Sequence, residues 1–257
     1  MNHLSIDLES FVHMNLNDRR TSEQRKKADK GWIIRATHKI LAVLKKNQTK
    51  ATFFILGELY SWYPKLIEEI KKEGHEIGFH SFTHRIIQNR AVLIEELEKG
   101  REFIKKYKPK GFRAPQMFLT PDCLQLLKDK GFDYDSSAYG NEIYQKEVIE
   151  IPVTSIKKIS KSLPQSLTLQ NLRKKPIGSG FCFALLGKNV LKKVKKDLFM
   201  FVHPWQIYKI PLKIKINNII NDPRMILYLR NRTKDFRIML TKTKFYCFDD
   251  FLQNKRR

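Results

Sequence analysis

Residues 75–84 read HEIGFHSFTH, an apolar run that ends in two histidines four positions apart. Side chains at this spacing point the same way on a helical turn, and a tight loop can also bring them together. Two imidazoles placed in this way can bind one metal ion. A bare pair is as often two unrelated histidines, so a metal site requires a third ligand. The stretch therefore predicts a strand over residues 75–79 with a candidate metal site at its end.

The segments before this stretch alternate between strand and helix patterns. Residues 51–57, ATFFILG, form a short continuous apolar run that is typical of a buried parallel strand. A helix is predicted over residues 64–73, with proline in its first turn and Gly74 at its end. This order indicates parallel βα units of an α/β fold, in which functional residues collect at the carboxyl ends of the strands. His80 and His84 stand at such an end.

Two carboxylates end the first predicted strand. Residues 4–11, LSIDLESF, alternate apolar and polar side chains, which places Asp7 and Glu9 on the same side. One carboxylate of such a pair can bind a metal ion while the other acts as a base. The alternative is an edge strand with a solvated acidic face. The nearby histidines favour the metal site.

Three later predicted strands also end in polar side chains. Arg113 ends a short strand, where it would hold a neighbouring carboxylate in its ionised form. Asp135 and His203 end two further strands. Trp205 follows, and its ring can stack on a sugar, although a buried tryptophan is the commoner case.

Four other segments carry weaker patterns. Residues 89–107 predict one amphipathic helix, and residues 222–241 predict a long basic helix that begins at an Asp-Pro pair. Residues 245–252 resemble a strand. The glycines in residues 178–181, GSGF, suggest a loop whose backbone approaches another segment closely.

The composition suits one globular domain over residues 1–257, with a basic C-terminal extension. The chain has 257 residues, of which 42% are hydrophobic, and no run approaches the ~20 apolar residues of a membrane-spanning helix. Its three cysteines are far apart, which excludes a disulfide framework or a zinc ribbon and indicates a reducing compartment. We therefore expect a cytoplasmic protein, or one recruited to a membrane surface. Composition does not predict an oligomeric state.

The charge is strongly and unevenly basic. The net charge is +24, and residues 188–257 carry 18 basic against 5 acidic side chains. Such a field attracts phosphorylated or nucleotide-linked sugars, acidic lipid headgroups or nucleic acid. The alternative is a solvated lysine-rich surface with no specific partner. No pattern of interleaved base-stacking aromatics is present, so specific nucleic-acid binding is not expected.

Five motifs, in order along the chain, resemble those of the polysaccharide deacetylases, the carbohydrate esterases with the NodB-homology domain. They are Asp7-Leu8-Glu9, His80-Ser81-Phe82-Thr83-His84, Arg113-Ala114-Pro115, Asp135-Ser136-Ser137 and Val202-His203-Pro204-Trp205. The first motif resembles the subgroup with Asp-x-Glu in place of Asp-Asp. The resemblance implies a distorted (β/α) barrel, usually of seven parallel strands.

The resemblance also implies a role for each matching residue. Glu9, His80 and His84 would hold a divalent metal, most often Zn²⁺, with Co²⁺ or Ni²⁺ as alternatives. Asp7 would be the general base, Arg113 would tune it, His203 would protonate the leaving amine, and the Gln116 N–H would stabilise the oxyanion. Either Asp133 or Asp135 would orient His203. Amide hydrolysis requires these parts: an activated water, an oxyanion site and an acid for the amine.

These features predict a metal-dependent N-deacetylase acting on an N-acetylated saccharide. The basic charge and the absence of an evident signal or anchor favour an anionic, nucleotide-linked or lipid-linked precursor as the substrate. Two alternatives stay open: hydrolysis of a non-sugar amide, such as the cyclic amide of an allantoinase, and a non-catalytic carbohydrate-binding homologue. Two positions depart from the family pattern. Glu9 stands where the wider family has Asp, and Gln206 stands where the subgroup has Glu.

Overall fold

The computed structural model describes residues 1–15, 18–157, 174–194 and 196–255, which form a mixed α/β fold. Its strands are β1 (Asn2–Leu8), β2 (Thr52–Ile55), β3 (Glu76–Phe79), β4 (Gly111–Phe112), β5 (Tyr134–Asp135), β6 (Tyr139–Gly140), β7 (Tyr144–Gln145), β8 (Ile149–Glu150), β9 (Val153–Thr154), β10 (Ile156–Lys157), β11 (Lys174–Lys175), β12 (Leu198–Val202) and β13 (Phe245–Tyr246).

The helices cover the outside of the sheet. They are α1 (Ser22–Asp29), α2 (Trp32–Lys46), α3 (Gly57–Trp62), α4 (Pro64–Lys72), α5 (Arg90–Lys99), α6 (Arg101–Tyr107), α7 (Cys123–Asp129), α8 (Gly180–Leu186), α9 (Pro204–Ile207), α10 (Leu212–Asn221), α11 (Met225–Tyr228), α12 (Thr233–Lys242) and α13 (Phe248–Lys255). Single 3₁₀ turns cover Phe11–His13, Pro115–Met117 and Gly187–Lys193. Within the described ranges, every helix is too short or too polar to cross a membrane.

Nine strands of the described residues form one curled sheet, which makes a half-barrel. Seven run in the order β12-β1-β2-β3-β4-β5-β8, each parallel to its neighbour. β7 pairs antiparallel with β8 at one end, and β13 pairs with the beginning of β1. The parallel βα architecture predicted from the sequence is confirmed. All carboxyl ends of the seven strands therefore open on the same rim.

Strand β1 is buried on both faces, as expected for the central strand of a parallel sheet. Leu4, Ile6 and Leu8 belong to the main apolar core, while Ser5 and Asp7 point into the barrel. The alternative of an edge strand with a solvated acidic face is wrong. Asp7 is 3% exposed, so its charge needs a partner inside the barrel.

Aromatic rings fill the lower half of the barrel. Phe54, Tyr134, Phe199 and Phe248 form a second buried cluster, with Phe248 edge-on to Phe54 at 5.9 Å between ring centroids. Gly78 on β3 leaves space for this cluster, because a Cβ there would lie 2.6 Å from Cδ1 of Phe54. The interior is therefore a packed core, and polar side chains occupy only its upper end.

The backbone of Gly178 and the side chain of Thr154 bridge a gap in the sheet between β8 and β12. The N–H of Gly178 donates to the Thr154 carbonyl in β9, and the N–H of Phe201 in β12 donates to the Gly178 carbonyl, both at 2.9 Å. A Cβ at Gly178 would clash with the Phe199 carbonyl oxygen. The close backbone approach predicted for residues 178–181 is confirmed, and it connects the two sides of the half-barrel.

Three predictions about secondary structure are wrong in part. The helix predicted over residues 89–107 is divided at Gly100, where a Cβ would meet the Phe79 ring, and it forms α5 and α6. The strand predicted over residues 245–252 is β13 alone, because Phe248 begins helix α13.

The long helix predicted from Asp222 is also wrong. Helix α10 ends just before Asp222, and α11 and α12 follow as separate helices. Pro223 lacks a backbone N–H and disfavours helical geometry in the residue before it, and Asp222 is extended with φ −146°. The Asp-Pro pair thus separates two helices and does not start one long helix.

Candidate active site

The carboxyl ends of β1, β3 and β12 bring four ionisable side chains together. Glu9 follows β1, His80 follows β3, His203 follows β12, and His84 lies in the loop after His80. Nε2 of His203, His84 and His80 lies 3.2, 3.3 and 3.8 Å from a carboxylate oxygen of Glu9. All four side chains are buried. These are residues that the sequence analysis proposed, and they converge on one point.

Three of these residues fit a metal ion. The donor atoms of Glu9, His80 and His84 all lie within 4.8 Å of one another, and His203 is not part of that set. One carboxylate and two imidazoles suit zinc and other divalent first-row metals. Nδ1 of His80 donates to the Arg113 carbonyl oxygen at 2.7 Å, because a carbonyl can only accept. In the neutral form of this ring, Nε2 carries the lone pair and faces Glu9, which is the orientation that metal ligation requires.

Burial and mutual charge set the ionisation of this cluster. Burial raises the pKa of Glu9, but the neighbouring His84, His203 and His80 together hold it well below its usual range. Burial lowers the pKa of His84 to about 4. Burial also acts to lower the pKa of His80, but the adjacent Glu9 and Asp7 outweigh it and raise that pKa. An ionised carboxylate beside a neutral imidazole is the state in which these groups bind metals.

The loop that carries the two histidines has unusual backbone geometry. Ser81 and His84 both have φ 66°, in the left-handed region that costs free energy for residues other than glycine. Glu96 of α5 holds this loop. Its Oε2 accepts from the N–H groups of Phe82 at 2.9 Å and Thr83 at 2.8 Å, and its Oε1 accepts from the Thr83 hydroxyl at 2.8 Å. The buried carboxylate thus offsets the local strain beside a candidate ligand.

Asp7 is held by a buried arginine. Nη1 of Arg113 lies 2.6 Å from Oδ1 of Asp7 and 2.8 Å from the hydroxyl of Ser5. The same guanidinium donates to the carbonyl and the hydroxyl of Ser136, and it lies 4.2 Å above the Phe54 ring. Arg113 is fully buried, so these contacts fix its position. It compensates the charge of Asp7 and orients that carboxylate.

His203 lies between two aromatic side chains. Its ring stacks on Trp205, with 4.3 Å between centroids and an angle of 11°, and the Tyr228 hydroxyl lies 3.2 Å from both ring nitrogens. Gln206 accepts from the His203 backbone N–H at 2.9 Å and donates to the Gly180 carbonyl, so the glutamine at this position supplies an orienting contact. Trp205 is 2% exposed. It supports His203 and does not offer a free face to a sugar.

The cluster lies at the base of a cleft of about 600 Å³. Gln116 lies on the cleft wall, and it and Met117 both have φ 56°, a pair of left-handed non-glycine residues of the kind that marks functional loops. Besides Gln116, the side chains that line the cleft come from six of the predicted site residues and from segments around the rim: Asp7, Glu9, Met14, His80, His84, Ala114, Met117, Tyr139, Pro176, Ser179, Phe181, Phe201, His203, Trp205, Asp222, Arg224, Met225 and Tyr228.

Asp135 lies outside this cleft, and the prediction that it orients His203 is wrong. Its carboxylate accepts from the Ser137 hydroxyl at 2.6 Å and from the Ser137 N–H at 3.2 Å. Burial and the neighbouring Asp135 charge raise the pKa of Glu150 well above its usual range. Burial also raises the pKa of Asp135, so the two residues form a buried carboxyl pair. Among the described residues, the His203 ring contacts Glu9, Tyr228 and Trp205, and Asp135 is not among its partners.

Comparison with known proteins agrees with this geometry. A family model described as "Polysaccharide deacetylase" matches residues 27–134, which include His80, His84 and Arg113. A peptidoglycan-N-acetylglucosamine deacetylase from Bacillus cereus is 32% identical over 109 residues, which is 40% of this chain and 40% of that protein. Over residues 27–134 the chain is similar to the polysaccharide deacetylase family. The aligned part spans well under half of that relative.

Solved structures of this family share the fold across nearly the whole chain. A putative polysaccharide deacetylase from Mycobacterium smegmatis has a TM-score of 0.60 at 15% identity, covering 99% of this chain and 91% of that one. An allantoinase (TM-score 0.56, 14% identity, 98% and 88% coverage) and a CE4 family pseudoenzyme from Bacillus anthracis (TM-score 0.54, 14% identity, 98% and 65% coverage) are also similar. At these identities the likeness shows the NodB-type barrel, and the predicted fold is confirmed.

The sequence analysis missed Glu96, Tyr228 and Phe181. Glu96 had a signal, since an acid occupies a position between Leu93 and Leu97 on the apolar stripe of a helix. Tyr228 and Phe181 had none. They belong to segments whose helices were predicted wrongly or not at all, and they meet only in the folded chain, at 6.4 Å between ring centroids.

Proposed function

We propose that this protein is a metal-dependent hydrolase that removes the N-acetyl group from an N-acetylated saccharide. One observation carries the proposal: the Glu9, His80 and His84 donor set stands beside Asp7, a carboxylate held by a buried arginine. Hydrolysis of an unreactive amide needs both a metal site to activate water and a separate base to accept the proton of that water.

A divalent metal held by Glu9, His80 and His84 would act as a Lewis acid and lower the pKa of a water molecule to about 7. Asp7 would accept the proton of that water. Arg113 keeps the Asp7 carboxylate in place and compensates its charge, so the base is oriented before the substrate binds. The backbone N–H of Gln116, on the cleft wall, would donate to the oxygen that becomes negatively charged during attack.

His203 would protonate the nitrogen of the leaving amine. Its Nε2 lies 3.2 Å from Glu9, at the edge of the candidate metal site, where the ring can reach a leaving group. Trp205 and Tyr228 hold the ring from two sides, and Gln206 fixes its backbone. A proton donor placed in this way prevents expulsion of a poor amide leaving group as an anion.

The cleft suits a sugar-sized substrate. Its volume of about 600 Å³ is in the usual range for small-molecule sites. The name of the Bacillus cereus relative indicates an N-acetylated glycan as the substrate of that protein, which supports the same substrate class here. The anionic, nucleotide-linked or lipid-linked form of the sugar stays a prediction.

The first test is the metal content of the purified protein by elemental analysis. We expect a near-stoichiometric divalent metal, zinc above all, in the wild type and its loss in His80→Ala. His38→Ala is the matched control, because His38 is an exposed histidine that pairs only with Glu69 on the surface. Absence of metal after incubation with zinc, cobalt and nickel would refute the mechanism and favour a non-catalytic role.

The second test follows the product. The metal-loaded wild type should release acetate from N-acetylated glycan oligomers. The kcat of Asp7→Asn should be about 10²–10⁴-fold lower, while this variant retains its metal. Ring opening of a cyclic amide without acetate release would instead establish the allantoinase-like alternative. Equal rates for Asp7→Asn and the wild type would rule out Asp7 as the base.

A further inference from the structure

Helix α10 and the short helix α11 expose apolar side chains to an unusual degree. Leu212, Ile216 and Ile220 are 71%, 46% and 72% exposed, and Ile226 is 56% exposed. The first three are spaced four residues apart, so they form one ridge along α10. These four residues are called the α10–α11 surface below. Scattered exposed leucines are ordinary, but an aligned ridge indicates an interaction surface.

The opposite side of α10 accounts for its attachment to the protein. Ile214 and Asn218 face inward and line a small cavity of about 270 Å³ together with Phe11 and Val12. No residue of α10 is fully buried. The helix therefore contacts the rest of the protein through a narrow strip of polar and apolar side chains. Its larger apolar face points to solvent. Packing within the described residues does not explain why these apolar side chains are exposed.

Basic side chains surround the α10–α11 surface. Five lie within residues 209–230, against a single acid, Asp222, which already pairs with Arg224 at 2.8 Å. The five are Lys209, Lys213, Lys215, Arg224 and Arg230. An apolar ridge with a basic border matches an anionic lipid surface: the aliphatic side chains enter the acyl boundary, while the cations meet the headgroups.

The candidate active-site cleft opens beside this surface. Asp222, Arg224 and Met225 line the cleft, and Phe181 of α8 stacks near Tyr228 of α11. Phe181 and Leu185 are each 43% exposed and extend the apolar border along α8. Any extended surface that binds the α10–α11 surface would thus lie at the mouth of the cleft.

We propose that the α10–α11 surface docks this protein onto an anionic lipid bilayer, with the active-site cleft at the membrane interface. A second copy of the chain is a poorer occupant, since two faces with the same basic border would repel each other. A convex ridge also suits insertion between lipids better than a groove would. The docking does not depend on catalysis, so it stands or falls separately from the proposed hydrolase activity.

The test is sedimentation with vesicles of phosphatidylcholine, with and without phosphatidylglycerol. The wild type should sediment with the anionic vesicles and bind the neutral ones weakly. The triple variant Leu212→Ser, Ile216→Ser, Ile220→Ser should bind anionic vesicles at least about tenfold more weakly, since each substitution removes buried aliphatic area. Lys209→Glu with Lys213→Glu should weaken binding and reduce its salt dependence.

Two controls make the outcome specific. Ile94→Ser replaces an exposed isoleucine of α5, 42% accessible and outside the α10–α11 surface, and should bind like the wild type. His80→Ala should lose metal yet keep vesicle binding, which separates this proposal from the catalytic one. The proposal is overturned if the wild type does not sediment with anionic vesicles, or if the triple variant binds them as tightly as the wild type does. It is also overturned if the triple substitution instead dissociates a dimer or abolishes capture of a protein partner.

Discussion

Four buried carboxylates near the candidate site have different partners, and the partner determines what each can do. Asp7 pairs with Arg113, Glu9 with histidines, Glu58 with His13 and Arg25, and Glu96 with backbone N–H groups. A buried charge without such compensation would be strongly destabilising. Sequence reasoning identified the first two because they end a strand beside the histidine motif. The partners of Glu58 and Glu96 lie in other segments of the chain, whose positions relative to these carboxylates only the fold reveals.

The charge of Glu58 should make stability depend on pH. Burial raises its pKa, but hydrogen bonds from His13 at 2.9 Å and from Arg25 lower it to about 2 overall. Because the pKa is lower in the folded state than its usual 4.5, ionised Glu58 stabilises the fold above about pH 4.5. That contribution is lost as the pH falls from about 4.5 towards 2.

Glu58→Gln should therefore lower the free energy of unfolding by about 2 kcal/mol near pH 7 and by much less near pH 3. Urea unfolding at both pH values measures the difference. Glu69→Gln is the control, because Glu69 also pairs with a histidine but is exposed, and its loss should cost less than about 0.5 kcal/mol. A difference between Glu58→Gln and the wild type that stays constant with pH would contradict the assignment.

Among the elements, α5 has a function beyond packing, because Glu96 holds the loop that carries both histidines. Glu96→Gln keeps the shape of the side chain but removes its negative charge, so the hydrogen bonds from the Phe82 and Thr83 N–H groups lose their charge assistance. The strained loop should then relax, and zinc affinity should fall about 10–100-fold, as is typical of groups that orient metal ligands. Competition with a chelator measures this affinity without reference to activity.

The neighbouring residue provides the control for this experiment. Glu95 lies on the same helix but is exposed, and it pairs only with Arg85 and Lys99 on the surface. Glu95→Gln should leave zinc affinity unchanged. Far-UV circular dichroism of both variants should match the wild type, since neither residue belongs to the apolar core. Equal affinities for Glu96→Gln and Glu95→Gln would show that the loop holds its shape without Glu96.

Secondary-structure elements were predictable where one local pattern dominated. β2, β3 and helix α4 between them followed from apolar runs and from stop signals such as Gly74, so the histidine loop was placed correctly. The C-terminal elements were not predictable in this way. The segment after Tyr246 alternates like a strand, yet its Phe248 enters the barrel interior as the first residue of α13. Tertiary packing, which the local pattern does not contain, determined its conformation.

At the scale of the whole molecule, the site depends on a half-barrel that is not closed by a strand. β1 lies between β12 and β2, so Glu9 and His203 are neighbours through continuous pairing. On the other side, the described residues join β9 to β12 through the backbone of Gly178 and through the Thr154 hydroxyl, which accepts from the Phe199 N–H at 2.8 Å. These contacts and the pairing of β12 with β1 together position His203 relative to the cleft wall. Sequence reasoning found the glycine-rich segment but had no means to identify the strands that it joins.

Gly178→Ala should weaken this connection and with it the whole fold. The added Cβ would meet a backbone carbonyl, that of Phe199, which cannot move without displacing β12. We expect a loss of about 2–3 kcal/mol and a fall in Tm of roughly 4–12 °C for a domain of this size. Thermal unfolding checks the magnitude, and hydrogen exchange should show faster opening of the β12 amides than of the β2 amides.

Ser155→Ala tests whether any change at this connection has the same effect. Ser155 directly follows β9, and its buried hydroxyl has no hydrogen-bond partner among the described residues. Removing an unpaired buried hydroxyl should be neutral or slightly stabilising. If Gly178→Ala proves as stable as Ser155→Ala, the two sides of the half-barrel are held together by other contacts. If only Gly178→Ala unfolds early, the close approach of the Gly178 backbone to β12 is needed to hold the two sides of the half-barrel together.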